Sequence, residues 1–214
     1  VKQVKGFWLP DYEQHLVPFL EKGPSVHGGP TYQYHKLSPA LALVPANRRQ
    51  HAVDVGAHCG LWSRILRHEF EHLTAFEPVA IHRQCFIKNV AEPYDLIPYA
   101  LGAEPGTICL HTGESSSGDT YVQADGEHAA EIKTLDSFDF AALDFLKIDC
   151  EGYEYFILQG GEETIRRTKP VIIVEQKPKK GSKYGLTDTA AVDLLRGWGM
   201  RLEFVMSGDY CFTY

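Results

Sequence analysis

Between residues 51 and 76 the hydrophobic pattern switches from strand to helix and back to strand, and this stretch constrains the fold most. Ala52-Val53-Asp54-Val55 is a short apolar strand that runs into Gly56. Trp62, Ile65, Leu66 and Phe70 then recur at the three- and four-residue spacing of an amphipathic helix. Leu73 to Phe76 is apolar and short again, as a second strand. A strand, a helix and a strand in immediate succession make a crossover unit, whose parallel strands are buried on both faces.

The alternation continues down the chain. The spacing predicts a helix over about 79–90, a strand near 96–100, a strand over 145–149 and helices over 154–160 and 162–167. Val171 to Val174 is a run of four β-branched residues and reads as a fully buried strand. A helix over 186–198 and a closing pair over 201–206 and 210–214 complete the series. Residues 107–111 read as an added strand, 134–138 as a short extended piece and 115–119 as loop. The expected fold is α/β and Rossmann-like: doubly wound, with a mainly parallel sheet and an antiparallel C-terminal edge hairpin. Residues 1–50, broken by Pro and Gly, read as an accessory segment packing on a core domain of residues 51–214. Short helices are expected near 12–20 and 37–44.

Composition narrows the function classes. The chain has 214 residues, 44% hydrophobic and 23% charged, which suits one globular domain. Its net charge of −7 disfavours broad nucleic-acid binding, which needs a basic face. No run is long and apolar enough to span a bilayer, and VKQVKGFWLP lacks the apolar stretch of a secretory signal. The five cysteines are odd in number, scattered and never spaced as CxxC. Reduced thiols and a cytoplasmic location are therefore expected, with no disulfide framework or zinc ribbon.

The chemistry concentrates at two strand ends. Asp54-Val55-Gly56-Ala57-His58-Cys59-Gly60 joins a strand to a helix. Gly56 permits the tight turn, and Gly60 lets the helix pack closely while the backbone approaches a ligand. The spacing is GxxxG, not the GxGxxG of a dinucleotide site, so a pyrophosphate cofactor is disfavoured. Glu77, followed by Pro78, closes the next strand and is positioned to accept from both hydroxyls of a ribose. A nucleoside cofactor without a diphosphate fits these parts, and S-adenosylmethionine, leaving S-adenosylhomocysteine, is the candidate.

The second constellation is Lys147-Ile148-Asp149-Cys150-Glu151-Gly152-Tyr153-Glu154. Asp149 and Glu151 lie two apart, so in extended geometry they face one side. Such a pair can orient the cofactor's amino group, hold a metal or take a proton from a hydroxyl. Glu175, at the end of the Val171–Val174 strand, opens onto the same face. The catalytic candidates are Asp149, Glu151 and, third, His58; a divalent metal on Asp149, Glu151 and Glu175 is conceivable but not favoured.

These residues resemble the FkbM-type methyltransferase family. The likeness rests on Val53 to Gly60, on Phe76-Glu77-Pro78, on Thr134-Leu135-Asp136, and on Leu146 to Glu154 followed by Leu158-Gln159-Gly160. It implies a class I methyltransferase fold and methyl transfer from S-adenosylmethionine, usually to a hydroxyl oxygen of a sugar or natural product. It also implies that Asp54, Gly56, Ala57, His58 and Gly60 shape the cofactor turn, with Glu77 and Pro78 at the ribose and Asp149 beyond. Where the family often carries Asn, this chain carries His58. Residues 1–45 and the basic loop after Glu175 fall outside the likeness and are expected to select the acceptor.

Other readings stay open on sequence alone. A nucleic-acid methyltransferase would use the same cofactor, although DCEG stands where base-methylating enzymes often carry a DPPY-like block. A non-catalytic binding module could keep the fold, and an NAD-dependent enzyme is weakened by the missing GxGxxG. His68-Glu69-Phe70-Glu71-His72 matches HExxH, but it falls at the end of a crossover helix and reads as a solvated helix end. Lys177, Lys179, Lys180 and Lys183 form the one dense basic run, read as a flexible loop or a phosphate contact. The expected partner is a hydroxylated small molecule or glycan, with no membrane and with nucleic acid disfavoured; a homodimer through the C-terminal edge is possible.

Overall fold

A computed structural model describes residues 1–113 and 115–214. Among them seven strands form one sheet: β1 (His51–Val55), β2 (His72–Phe76), β3 (Asp95–Ile97), β4 (Phe145–Ile148), β5 (Val171–Glu175), β6 (Arg201–Met206) and β7 (Asp209–Thr213). Their order across the sheet is β3-β2-β1-β4-β5-β7-β6. The first five strands pair in parallel, and β7 runs antiparallel to both β5 and β6. The doubly wound sheet with its antiparallel edge hairpin is thus the fold the hydrophobic pattern predicts. The strand order reverses between β1 and β4, where Val55 lies beside Ile148. Open α/β sheets bind ligands beyond the carboxyl ends of the strands at such a reversal.

The strands read as continuous apolar runs because both faces are covered. Val53, Val55, Leu146, Ile148, Ile172 and Val174 pack towards the helices Glu154–Gln159, Glu162–Thr168 and Ala190–Gly197. Ala52, Leu73, Ala75, Phe145 and Ile173 face the other way, onto the helix Ser63–Glu69 and onto the N-terminal segment. Leu9, Leu20, Leu37 and Ala40 of that segment are wholly buried in the same cluster. Each buried leucine contributes roughly 1.5–3 kcal/mol, so residues 1–50 complete one face of the core.

Several local expectations change. The strand expected near 96–100 is split: Asp95–Ile97 stays in the main sheet, and Ala100–Leu101 joins a second, four-stranded sheet. Pro98, without an N–H, stands between them. The second sheet also takes Gly106–His111, Tyr121–Val122 and His128–Lys133, of which the sequence reading found the first. Residues 135–138 form a 3-10 turn, not an extended piece, because Thr134 caps it by accepting from the Ser137 N–H at 3.2 Å. The N-terminal helices run over Val17–Lys22 and Tyr34–Ala42, and two small hairpins accompany them. The last helix is shorter than its pattern, starting at Ala190 after the left-handed Gly185 and a turn. No described helix is long and apolar enough to cross a membrane.

Candidate active site

A cavity of about 340 Å³ opens over the carboxyl ends of β1, β2, β4 and β5. Its floor is the turn after β1. The N–H groups of Gly56 and Ala57 both donate to the Phe76 carbonyl at 3.1 Å, tying the turn to the end of β2. Gly56 adopts φ +74°, and a Cβ there would stand 2.1 Å from the Asp149 carbonyl oxygen, so only glycine fits. Gly60 is needed for a different contact. Its Cβ would meet Val90 Cγ2 at 2.5 Å, which makes it a packing glycine between helices.

Beneath the turn lies a buried ion pair. Lys147 Nζ is 3.1 Å from Asp54 Oδ1 and donates to the Gly56 carbonyl at 2.7 Å. Asp54 Oδ2 accepts from Ser63 Oγ at 2.6 Å, joining the strand to the helix that follows the turn. Burial opposes the Lys147 charge, but the Asp54 and Asp149 carboxylates outweigh it and raise its pKa above the ordinary lysine value.

Glu77 gathers the opposite wall. Its carboxylate accepts from the His58 N–H and the Val79 N–H, both at 2.8 Å, and from His82 Nδ1 at 3.2 Å. Burial pushes the Glu77 carboxyl up, yet His82 and these N–H donors hold it below its usual range, so it is ionised at neutral pH. The His58 ring reaches the other way. Ser117 Oγ donates to Glu13 Oε2 at 2.5 Å, which leaves Ser117 Oγ to accept from His58 Nε2 at 2.7 Å. Ser117 N–H donates to the same Glu13 oxygen at 2.6 Å. Burial, with His82 and Lys147 nearby, pushes His58 well below its ordinary pKa, so the ring is neutral.

At the far end Asp149, Glu151 and Glu175 bring carboxylate oxygens within 4.8 Å of one another. They meet by a route other than strand alternation. β4 ends at Ile148, Glu151 takes a left-handed φ of 55°, and Gly152 follows at +103°. Glu154 fixes this turn by accepting from the Cys150 N–H at 2.8 Å and the Gly152 N–H at 3.1 Å. Lys180 pairs with Glu151, and Lys177 Nζ lies 2.5 Å from Glu175. The triad could hold a metal ion, but the two lysines already supply counter-charge. The basic run is therefore turned onto carboxylates, and Lys183 lies over the Tyr121 ring at 3.5 Å.

The cavity wall includes Gly56, Ala57, His58, Glu77, Pro78, Asp149 and Glu151, whereas Asp54 and Gly60 stand behind it. Tyr32 lines it as well, while Trp62 does so from a core position, 5% exposed. The sequence reading missed Lys147, His82, Ser117 and Glu13 as site residues. A lysine inside the apolar run Phe145-Leu146-Lys147-Ile148 was the signal for a buried pair; no local pattern marks the other three. The HExxH match dissolves, since His68 ends a helix and stacks on His27 at 4.4 Å while His72 begins β2.

Two carboxyls here make stability depend on pH. Burial pushes Glu154 up to about 7 and, with the Asp149 charge, Glu175 up to about 8, from an ordinary 4.5. The folded chain then holds protons on these two groups that the unfolded chain releases, so their contribution to stability falls as pH rises from about 5 to 8. Across that window the melting temperature of Glu154→Gln should fall less, or rise more, than that of wild type. A Glu154→Gln profile parallel to wild type would refute this origin.

The fold recurs in solved methyltransferases. An FkbM methyltransferase from Methylobacillus flagellatus superposes with a TM-score of 0.52 at 20% identity, over 78% of this chain. This chain spans 44% of that protein's length. An rRNA methylase from Streptococcus thermophilus superposes with a TM-score of 0.51 at 11% identity, covering 86% of this chain and 95% of its own. At such identities the likeness speaks for the fold alone. No curated protein matches the sequence significantly. The sequence profile of the methyltransferase FkbM domain, however, matches residues 54–202, from the buried aspartate of β1 to the edge hairpin and most of the chain. The chain belongs to the FkbM methyltransferase family.

Proposed function

We propose that this chain binds S-adenosylmethionine over β1 and β4 and methylates a hydroxyl oxygen of a sugar or another small molecule. The observation that carries this reading is one cavity with Glu77 on one wall and the Asp149–Glu151–Glu175 carboxylates on another. The lining fits the cofactor's chemistry. Glu77 offers an acceptor to nucleoside hydroxyls, Pro78, Leu101, Ile108 and Leu110 offer an apolar wall to a purine, and Asp149 offers a carboxylate to an ammonium group. When bound, the sulfonium supplies the methyl electrophile.

The protein's own part is to align the acceptor and take its proton. Asp149 is the favoured base. Glu151 is tied to Lys180, Glu175 to Lys177, and His58 is engaged by Ser117 and depressed by burial. The acidic net charge, and lysines already committed to carboxylates, favour a small hydroxylated acceptor over a polyanion.

Calorimetry with S-adenosylhomocysteine tests the cofactor assignment, with NADH as the control. Wild type should bind with micromolar affinity and Glu77→Ala roughly 10- to 100-fold more weakly, as expected for a lost bond to a charged group. Glu77→Gln, which keeps one acceptor oxygen, should fall between. A well-folded wild type that ignores S-adenosylhomocysteine would refute the reading.

A further inference from the structure

The two ends of the cavity belong to different strands. Glu77 follows β2 and Glu175 ends β5, and in the order β2-β1-β4-β5 they lie three strand spacings apart, roughly 14 Å at about 4.8 Å each. With a ribose at Glu77, the β5 end is left for the methyl acceptor. The N-terminal segment lines the same cavity with Tyr32 and Gln33.

The fold carries Tyr32 to the β5 end. Lys36, in the first turn of the helix Tyr34–Ala42, forms a buried ion pair with Asp209, and Asp209 is the ladder partner of Glu175. On the other side of Tyr32, the buried Thr31 donates to the Pro24 carbonyl from its N–H at 3.1 Å and from its hydroxyl at 2.8 Å. Between these anchors the Tyr32 ring stands edge-on to Phe19, with centroids 5.5 Å apart at 81°. The Tyr32 hydroxyl is engaged by no described residue, and it is not among the polar atoms that the fold closes off. Of the charged groups it feels Asp149 most strongly, then Lys177, Glu175 and Asp209, all at the β4 and β5 side of the cavity. Burial and the Asp149 charge push it up to about 12, so the phenol keeps its proton and can donate. Pockets draw their specificity from a few polar groups fixed in this way.

We infer that Tyr32 is a specificity-determining residue for the acceptor: its phenol donates to a second acceptor oxygen while Asp149 takes the reacting hydroxyl. The acceptor is then a polyol and not a lone alcohol, because a lone alcohol satisfies Asp149 and leaves the phenol unpaired. This assignment rests on the reading of the cavity as a methyl-transfer site with Asp149 as its base.

The test is methyl transfer from radiolabelled S-adenosylmethionine by wild type, Tyr32→Phe and Tyr34→Phe. The acceptors are the methyl glycosides of glucose, galactose, mannose and rhamnose, myo-inositol, and cyclohexanol as the lone alcohol. Wild type should methylate at least one polyol and leave cyclohexanol alone. For that polyol Tyr32→Phe should raise KM roughly tenfold with kcat little changed, the pattern of one hydrogen bond lost equally from ground and transition states. Among the monodeoxy derivatives that still react, one should serve wild type and Tyr32→Phe equally, because the oxygen that Tyr32 donates to is gone. Tyr34 lies in the same segment but off the cavity wall, so Tyr34→Phe should match wild type. An unchanged KM in Tyr32→Phe, an equal loss in Tyr34→Phe, or a loss that persists with every deoxy derivative would overturn the assignment. So would transfer to cyclohexanol as efficient as to the polyol, or a wild type that binds S-adenosylhomocysteine in calorimetry yet methylates no polyol. A wild type that does not bind S-adenosylhomocysteine removes the cofactor reading itself, which the titration shows without any variant.

Discussion

Replacing Lys147 by Met should destabilise the protein by about 3–5 kcal/mol, the usual cost of leaving one member of a buried ion pair uncompensated. Asp54 is 1% exposed, and Lys147 is the cation 3.1 Å from its Oδ1. The lysine also donates to the Gly56 carbonyl, so its loss loosens the turn that floors the cavity. The double variant Asp54→Asn with Lys147→Met removes the stranded charge and keeps an acceptor for Ser63 Oγ, and it should regain most of the loss. Urea denaturation of the wild type, both single variants and the double variant measures this. A Lys147→Met protein within about 1 kcal/mol of wild type, the scale of an exposed pair, would show that the pair is not buried in solution.

Asp149→Asn should lower kcat by about 10²–10⁴, the range that general-base catalysis contributes. The substitution keeps shape and a carbonyl that can accept from an ammonium group, so S-adenosylhomocysteine affinity should move by less than about tenfold. The measurement needs the first hydroxylated acceptor that turns over in a screen against the wild type. A second readout separates this role from a merely structural one. The Asp149 charge helps push Glu175 up to about 8, so the variant should shift the Glu175 titration downward. A variant that keeps kcat within tenfold of wild type would move the proton-accepting role to Glu151 or His58.

The cofactor turn and the acid cluster were legible in the sequence to different depths. Strand, glycine turn and helix follow from Ala52 to Phe70 because each is a local matter of side-chain period and backbone freedom. Gly56 was read as a turn glycine, and its φ of +74° agrees; that a Cβ would strike the Asp149 carbonyl belongs to a neighbour more than 90 residues away. Asp149 and Glu151 were expected together on one side of a strand. They do come together, through a left-handed turn held by Glu154, because the Cys150 and Gly152 N–H groups must be satisfied where β4 ends.

By itself the sequence determined the sheet's elements, their doubly wound class, the antiparallel edge and the family. All of these are written in hydrophobic period, glycine placement and one short acidic block. The tertiary structure alone decided that Glu13, Ser117 and His58 form one hydrogen-bonded chain across 104 residues, and that lysines 177 and 180 face carboxylates. It also decided that the buried His82 ring stands against Glu77, with Nδ1 3.2 Å from Oε1. Such contacts join polar side chains on separate loops and helices, where no periodicity records a partner, and they are selected only when folding removes water from around them.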